Sequence, residues 1–191
     1  MDKRVFLITG PPGVGKTTVF GKIMVAINAQ GYRVGGIMSR EIRQDNQRIG
    51  FEIIDLTTLR RGWLAHVTQE TGPQIGKYRV NLENLDGIGA HAIVKATETC
   101  EIVAIDEIGP MELFSQKFKE AVEKALSSQK LVIATTHWRE QDNLIRETRN
   151  REDAEAIITS HENREKLSET IVEKALSFLN RSTLGKTSSS P

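Results

Sequence analysis

Eight residues, Gly10-Pro11-Pro12-Gly13-Val14-Gly15-Lys16-Thr17, constrain this 191-residue chain more than any other feature. They satisfy the pattern G-x-x-x-x-G-K-[ST], and the flanking sequence is the kind that pattern requires. Before them, Val5-Phe6-Leu7-Ile8 reads as a buried strand. After them, from Thr17 to Gln30, Val19, Phe20, Ile23, Met24 and Ile27 recur at helical spacing, and Gly31 stands where a helix end favours a left-handed residue. A glycine-rich turn between strand and helix curls so that successive backbone N–H groups point inward, and the helix N-terminus adds partial positive charge. That combination cradles phosphate. In it, Lys16 is expected to reach the β- and γ-phosphates of a nucleotide, and the Thr17 hydroxyl to ligate Mg²⁺.

The rest of the chain agrees with an α/β fold, a mostly parallel central sheet flanked by helices. Arg33 to Met38, Ile102 to Ile105, Leu131 to Ala134 and Ala156 to Ile158 read as strands. Glu112 to Ser128, with Leu113, Phe114, Phe118, Ala121, Val122, Ala125 and Leu126 on one stripe, and Asn163 to Leu179 read as helices. Between Arg40 and Val80 the texture changes. Polar Gln44 to Gln47 separates two β-rich runs, which indicates an antiparallel hairpin, and Gly76 to Val80 adds a short strand. The expected organisation is a single domain over residues 1–181, with a small antiparallel β insertion at about 40–80, and a disordered Ser/Thr-rich tail over 182–191.

Asp106 and Glu107 follow the apolar run Ile102-Val103-Ala104-Ile105, which puts two carboxylates at the C-terminal end of a buried strand, where open α/β sheets bind ligands. Asp106 is the expected Mg²⁺ partner opposite Thr17. Glu107 is the expected general base or water-orienting group, and its presence favours water as the nucleophile. Asp106-Glu107-Ile108-Gly109 also fits the D-x-x-G of GTPases, but the chain has no N-K-x-D segment to read guanine, so relaxed base choice is expected.

Weaker candidates surround this pair. Thr135, Thr136 and His137 end a strand and are placed either to sense the γ-phosphate or simply to exit the sheet. Arg149 and Arg151, ahead of Arg146, are candidates for a transition-state cation, although alternating acids make a solvated face equally natural. Asn163 and Arg164 open a helix and are candidates for base or ribose contact. Trp63 and Trp138 read as partly buried packing residues, and the lone Cys100 as a packing residue.

Charge and cysteine content exclude several classes. There are 26 Lys+Arg against 25 Asp+Glu, a net charge of +1, which argues against nucleic acid as the main partner. One cysteine rules out a disulfide framework or a cysteine-rich zinc site. No run approaches the roughly 20 apolar residues of a membrane span, and Val5 to Ile8 is too short for a signal-peptide core. A cytoplasmic monomer is expected.

Several stretches together resemble the thermophile-type nucleoside-triphosphatase family, which also holds the cancer-related nucleoside-triphosphatase. They are Phe6-Leu7-Ile8-Thr9 running into Gly10-Pro11-Pro12-Gly13-Val14-Gly15-Lys16-Thr17-Thr18, then Arg48-Ile49-Gly50-Phe51, and Ile105-Asp106-Glu107-Ile108-Gly109 with Met111-Glu112-Leu113-Phe114-Ser115 close behind. Arg149-Asn150-Arg151 and Glu162-Asn163-Arg164 complete the set, and the likeness runs from about Arg4 to Leu179. The resemblance implies a RecA-like phosphate-loop fold and Mg²⁺-dependent hydrolysis of ATP, GTP, CTP, UTP and TTP to the diphosphates. It implies nucleotide contacts at Gly10 to Thr18 and along Ile102 to Gly109. The alternatives are a nucleotide or nucleoside kinase, for which Arg149 and Arg151 are the hint of a lid, and a partner-activated switch working through the 40–80 insertion.

Overall fold

The computed structural model describes residues 2–139 and 142–187. Among these residues, nine strands form one sheet in the order β5-β6-β4-β3-β2-β7-β8-β1-β9. The five strands that carry the phosphate loop and its surroundings are mutually parallel: β2 (Val34–Gln44), β7 (Ile102–Ile108), β8 (Leu131–Thr136), β1 (Val5–Thr9) and β9 (Ala154–Ile158). The other four, β3 (Gln47–Asp55), β4 (Arg61–His66), β5 (Gln74–Ile75) and β6 (Tyr78–Val80), continue the same sheet in antiparallel fashion. The 40–80 segment is therefore an extension of the sheet. The hairpin turn sits at Asp45 and Asn46, both at positive φ (49° and 59°), which gives the twist that two-residue hairpins favour.

Alternation along the parallel strands sends side chains to two cores. Val5 and Leu7 of β1, with Val103 and Ile105 of β7, face α3 (His91–Thr99) and α4 (Gln116–Ser127). Phe6 and Ile8, with Ile102 and Ala104, face α1 (Lys16–Ala29) and α6 (Arg164–Thr187), which supply Phe20, Ile23, Ile171 and Ala175. Each fully buried Val, Leu, Ile or Phe among these contributes about 1.5–3 kcal/mol.

Three expectations need correction. The helix placed over Glu112 to Ser128 is two elements. A 3₁₀ turn (Glu112–Phe114) comes first, then Ser115 caps α4 by accepting from Phe118 N (3.0 Å), and Phe114 is left exposed instead of joining the core stripe. Between Val80 and Cys100, where no element was read, the chain is helical: α2 (Leu82–Asn84), a π-helical turn (Leu85–Ala90) and α3. The tail expected from Ser182 does not begin there, because α6 continues to Thr187, with the Ser182 hydroxyl bonding back to Phe178 O (3.0 Å). Residues 188–191 lie outside those described. No helix among the described residues is long and apolar enough to cross a membrane.

Candidate functional site

The loop leaves β1 at Thr9 and enters α1 at Lys16. Gly13 (φ 76°) and Gly15 (φ 103°) hold left-handed conformations that a side chain would strain, and these give the loop its curl. Pro11 and Pro12 are exposed at its crest, while buried Val14 anchors it beneath. Lys16 Nζ donates to Gly10 O at 3.0 Å, which folds the ammonium group over its own loop. Thr17 and Thr18 are exposed at the first turn of α1.

β7 delivers the carboxylates beside this loop. Asp106 is buried, 1% exposed, and its Oδ1 accepts from the hydroxyl of Thr135 on the neighbouring strand. Its Oδ2 is buried with no hydrogen-bond partner among the described residues. Burial pushes the Asp106 carboxyl up to about 6, against the downward pull of the Thr135 and Thr17 hydroxyls and of Lys16. An orphaned carboxylate oxygen inside the protein is costly, so it is expected to have a use. A hard cation with oxygen ligands suits it, with the Thr17 hydroxyl as the other protein donor. Thr17 and Asp106 thus fit the Mg²⁺ assignment in their chemistry.

Glu107 follows directly, joined to Asp106 by a cis peptide bond, and the β7–β8 register breaks between Ile105 and Ile108. Burial raises its carboxyl above the usual glutamate range, and nearby Lys16 and His137 work to lower it. Such a group accepts a proton more readily than an exposed glutamate. Ile108 is buried at the end of β7. Gly109 lies under the Glu107 carboxyl, and a methyl group there would sit 2.7 Å from Glu107 Oε1.

The weaker candidates separate cleanly. Arg149, at the end of α5 (Asn143–Arg149), donates through Nη2 to Thr9 Oγ1 (2.9 Å), Thr136 Oγ1 (3.2 Å) and His137 O (2.8 Å). It therefore ties the ends of β1 and β8 together just where the phosphate loop begins. Arg151 is at the opposite end of the sheet. It forks onto Asp153 (2.8 and 3.0 Å), which also pairs with buried Arg4 (2.7 Å) ahead of β1. Asn163 shapes the turn into α6, accepting from Ser160 N and donating to Ile158 O (both 2.8 Å). Arg164 reaches the phosphate loop, its Nη1 3.7 Å from where a Gly15 side chain would start. Cys100 is buried in the core, as expected, while Trp63 and Trp138 are 38% and 43% exposed, Trp63 with its ring against His66.

Glu112 was missed by the sequence reading. It is buried at 5% exposure, and its carboxyl lies close enough to Glu107 and Asp106 to feel their charge. The only signal was a single carboxylate inside the apolar run Met111-Glu112-Leu113-Phe114.

The profile of the NTPase family matches residues 5–172. A Nucleoside-triphosphatase THEP1 from Methanosarcina acetivorans is 44% identical over 170 residues, 88% of this chain and 95% of that protein. The crystal structure of THEP1 from the hyperthermophile Aquifex aeolicus superposes with a TM-score of 0.77 at 30% identity, covering 88% of this chain and 97% of that one. The solution structure of a human cancer-related nucleoside triphosphatase gives 0.78 at 35% identity, with 92% and 98% covered.

Proposed function

This chain belongs to the NTPase family, and from that premise we propose that it hydrolyses nucleoside triphosphates to the diphosphate and inorganic phosphate, with Mg²⁺ and with little choice of base. The observation that carries the reading is the convergence of Lys16, Asp106 and Glu107 at the C-terminal end of β7 beside the phosphate loop, with one buried Asp106 oxygen unpartnered among the described residues.

In this reading the loop N–H groups and Lys16 hold the β- and γ-phosphates in line for attack. Thr17 and Asp106 would hold the metal, which when bound helps neutralise the charge of the phosphate oxygens. Glu107 orients a water molecule and takes its proton. The water oxygen bonds to the γ-phosphorus, and the bond to the β–γ bridging oxygen breaks. Base choice is relaxed because no N-K-x-D segment reads guanine. We take the protein to act as a cytoplasmic monomer.

The kinase alternative loses its support from the two arginines. Arg151 is at the opposite end of the sheet from the phosphate loop, and Arg149 is tied to the strand ends by hydrogen bonds to Thr9, Thr136 and the His137 carbonyl. The test is phosphate release from ATP, GTP, CTP, UTP and TTP, with and without Mg²⁺. Release from all five at comparable rates, abolished by removing the metal, is expected. Transfer of the γ-phosphate to an added nucleoside or nucleotide, with little release to water, contradicts the reading.

A further inference from the structure

Glu112 is buried, and no ion pair to it is present among the described residues. A buried carboxyl without a cation is expensive, and an apolar residue would fill the same space more cheaply. The 3₁₀ turn folds this side chain back over the end of β7: Leu113 N donates to Gly109 O (3.0 Å) and Ser115 N to Glu112 O (3.1 Å). The carboxyl then sits against the backbone N–H groups of Gly109 and Glu112 itself. A methyl group on Gly109 would meet Glu107 Oε1 at 2.7 Å and Glu112 Oε2 at 3.1 Å. The two carboxyl groups therefore converge on one point above the Gly109 Cα. Gly109 has an ordinary backbone conformation, so its lack of a side chain serves space and not φ.

We propose that Glu112 is a positioning residue for hydrolysis: seated over Gly109, its carboxyl group holds the Oε1 side of Glu107 and so fixes the orientation from which Glu107 presents its other oxygen to the attacking water. This rests on the reading of Glu107 given above. Burial favours the neutral acid at Glu112, which raises its carboxyl to about 8. A neutral acid donates a hydrogen bond to a neighbouring carboxylate, and a carboxamide does the same. A leucine fills the volume and donates nothing.

The test compares Glu112→Leu, Glu112→Gln, Gly109→Ala and Glu107→Gln in the full chain. Each is measured for kcat and KM with Mg·ATP, for affinity toward a non-hydrolysable ATP analogue, and for its thermal midpoint. In Glu112→Leu and Gly109→Ala, kcat is expected to fall about 10- to 100-fold while KM and analogue affinity stay within about threefold. Glu112→Gln is expected to recover most of the lost kcat. Wild-type kcat in Glu112→Leu overturns the proposal. So does a Glu112→Gln as slow as Glu112→Leu, or a loss of analogue affinity that matches the loss of kcat. If Glu112→Leu melts below the assay temperature, Glu112→Met takes its place under the same criteria, because the Gly109→Ala methyl also meets Glu107 directly. Glu107→Gln separates the two levels: if it retains full turnover, the role of Glu107 itself falls, whereas a dead Glu107→Gln beside fully active Glu112→Leu and Gly109→Ala defeats only the role of Glu112.

Discussion

The hydroxyl of Thr135, on β8, donates to Asp106 Oδ1 across the β7–β8 pairing at 2.5 Å, leaving Oδ2 as a buried oxygen with no hydrogen-bond partner among the described residues. One oxygen is thereby held, and the other is the one the proposed Mg²⁺ would take. Groups that orient a metal-binding carboxylate in this way typically matter about 10- to 100-fold for metal affinity. Thr135→Val, which keeps the shape and removes the hydroxyl, is therefore expected to raise the Mg²⁺ concentration for half-maximal turnover about tenfold or more. A Mg²⁺ titration of phosphate release checks this, and an unchanged midpoint counts against Asp106 as the ligand.

Arg149 and Arg151 differ by two positions and lie at opposite ends of the sheet, so their substitutions should separate. Arg149→Ala frees Thr9, Thr136 and the His137 carbonyl at the root of the phosphate loop, and is expected to cut kcat about tenfold. Arg151→Ala leaves the buried Arg4–Asp153 pair in place and removes a half-exposed partner. It is expected to leave kcat within about twofold and to cost under about 1 kcal/mol in urea denaturation. Equal kinetic damage from both contradicts this assignment.

Glu112 makes stability depend on pH. Its carboxyl titrates near the ordinary 4.5 in the unfolded chain and at about 8 in the folded one, where burial comes first and the charges of Glu107 and Asp106 add to it. Between those values the folded protein binds the proton that the unfolded chain releases, so stability falls as pH rises through that window. Glu112→Gln removes the term. Without nucleotide or metal, that variant should gain on the wild type by on the order of 1–3 kcal/mol between pH 5 and pH 8, read by urea denaturation at each pH. A stability difference that does not change with pH contradicts the neutral acid.

Much of this was legible in the sequence, for physical reasons. The phosphate loop is a local device, and its glycines, Lys16 and Thr17 are adjacent in the chain. Asp106 and Glu107 announce themselves by ending an apolar strand. The hairpin showed through its polar turn at Asp45 and Asn46. What stayed hidden depends on contacts distant in sequence or on broken periods. The helical stretch after Val80 contains Gly87 and Gly89, which interrupt the apolar period, and its π-helical turn departs from 3.6-residue spacing. The strand β4 is defined by pairing with β3 and β6, not by its own composition. Arg149 and Arg151 look alike in sequence and are told apart only by the direction in which the chain passes from α5 to β9. Glu112 reads in the sequence as the first residue of a helix, and only the 3₁₀ turn sends it back to Gly109.

The central claim is that Glu107 activates the water, and Glu107→Gln tests it most directly. Single-turnover hydrolysis of Mg·ATP should slow by about 10² or more, while binding of Mg·ATP, measured by calorimetry, stays within about threefold of the wild type. A Glu107→Gln protein that hydrolyses bound ATP at the wild-type rate contradicts the account.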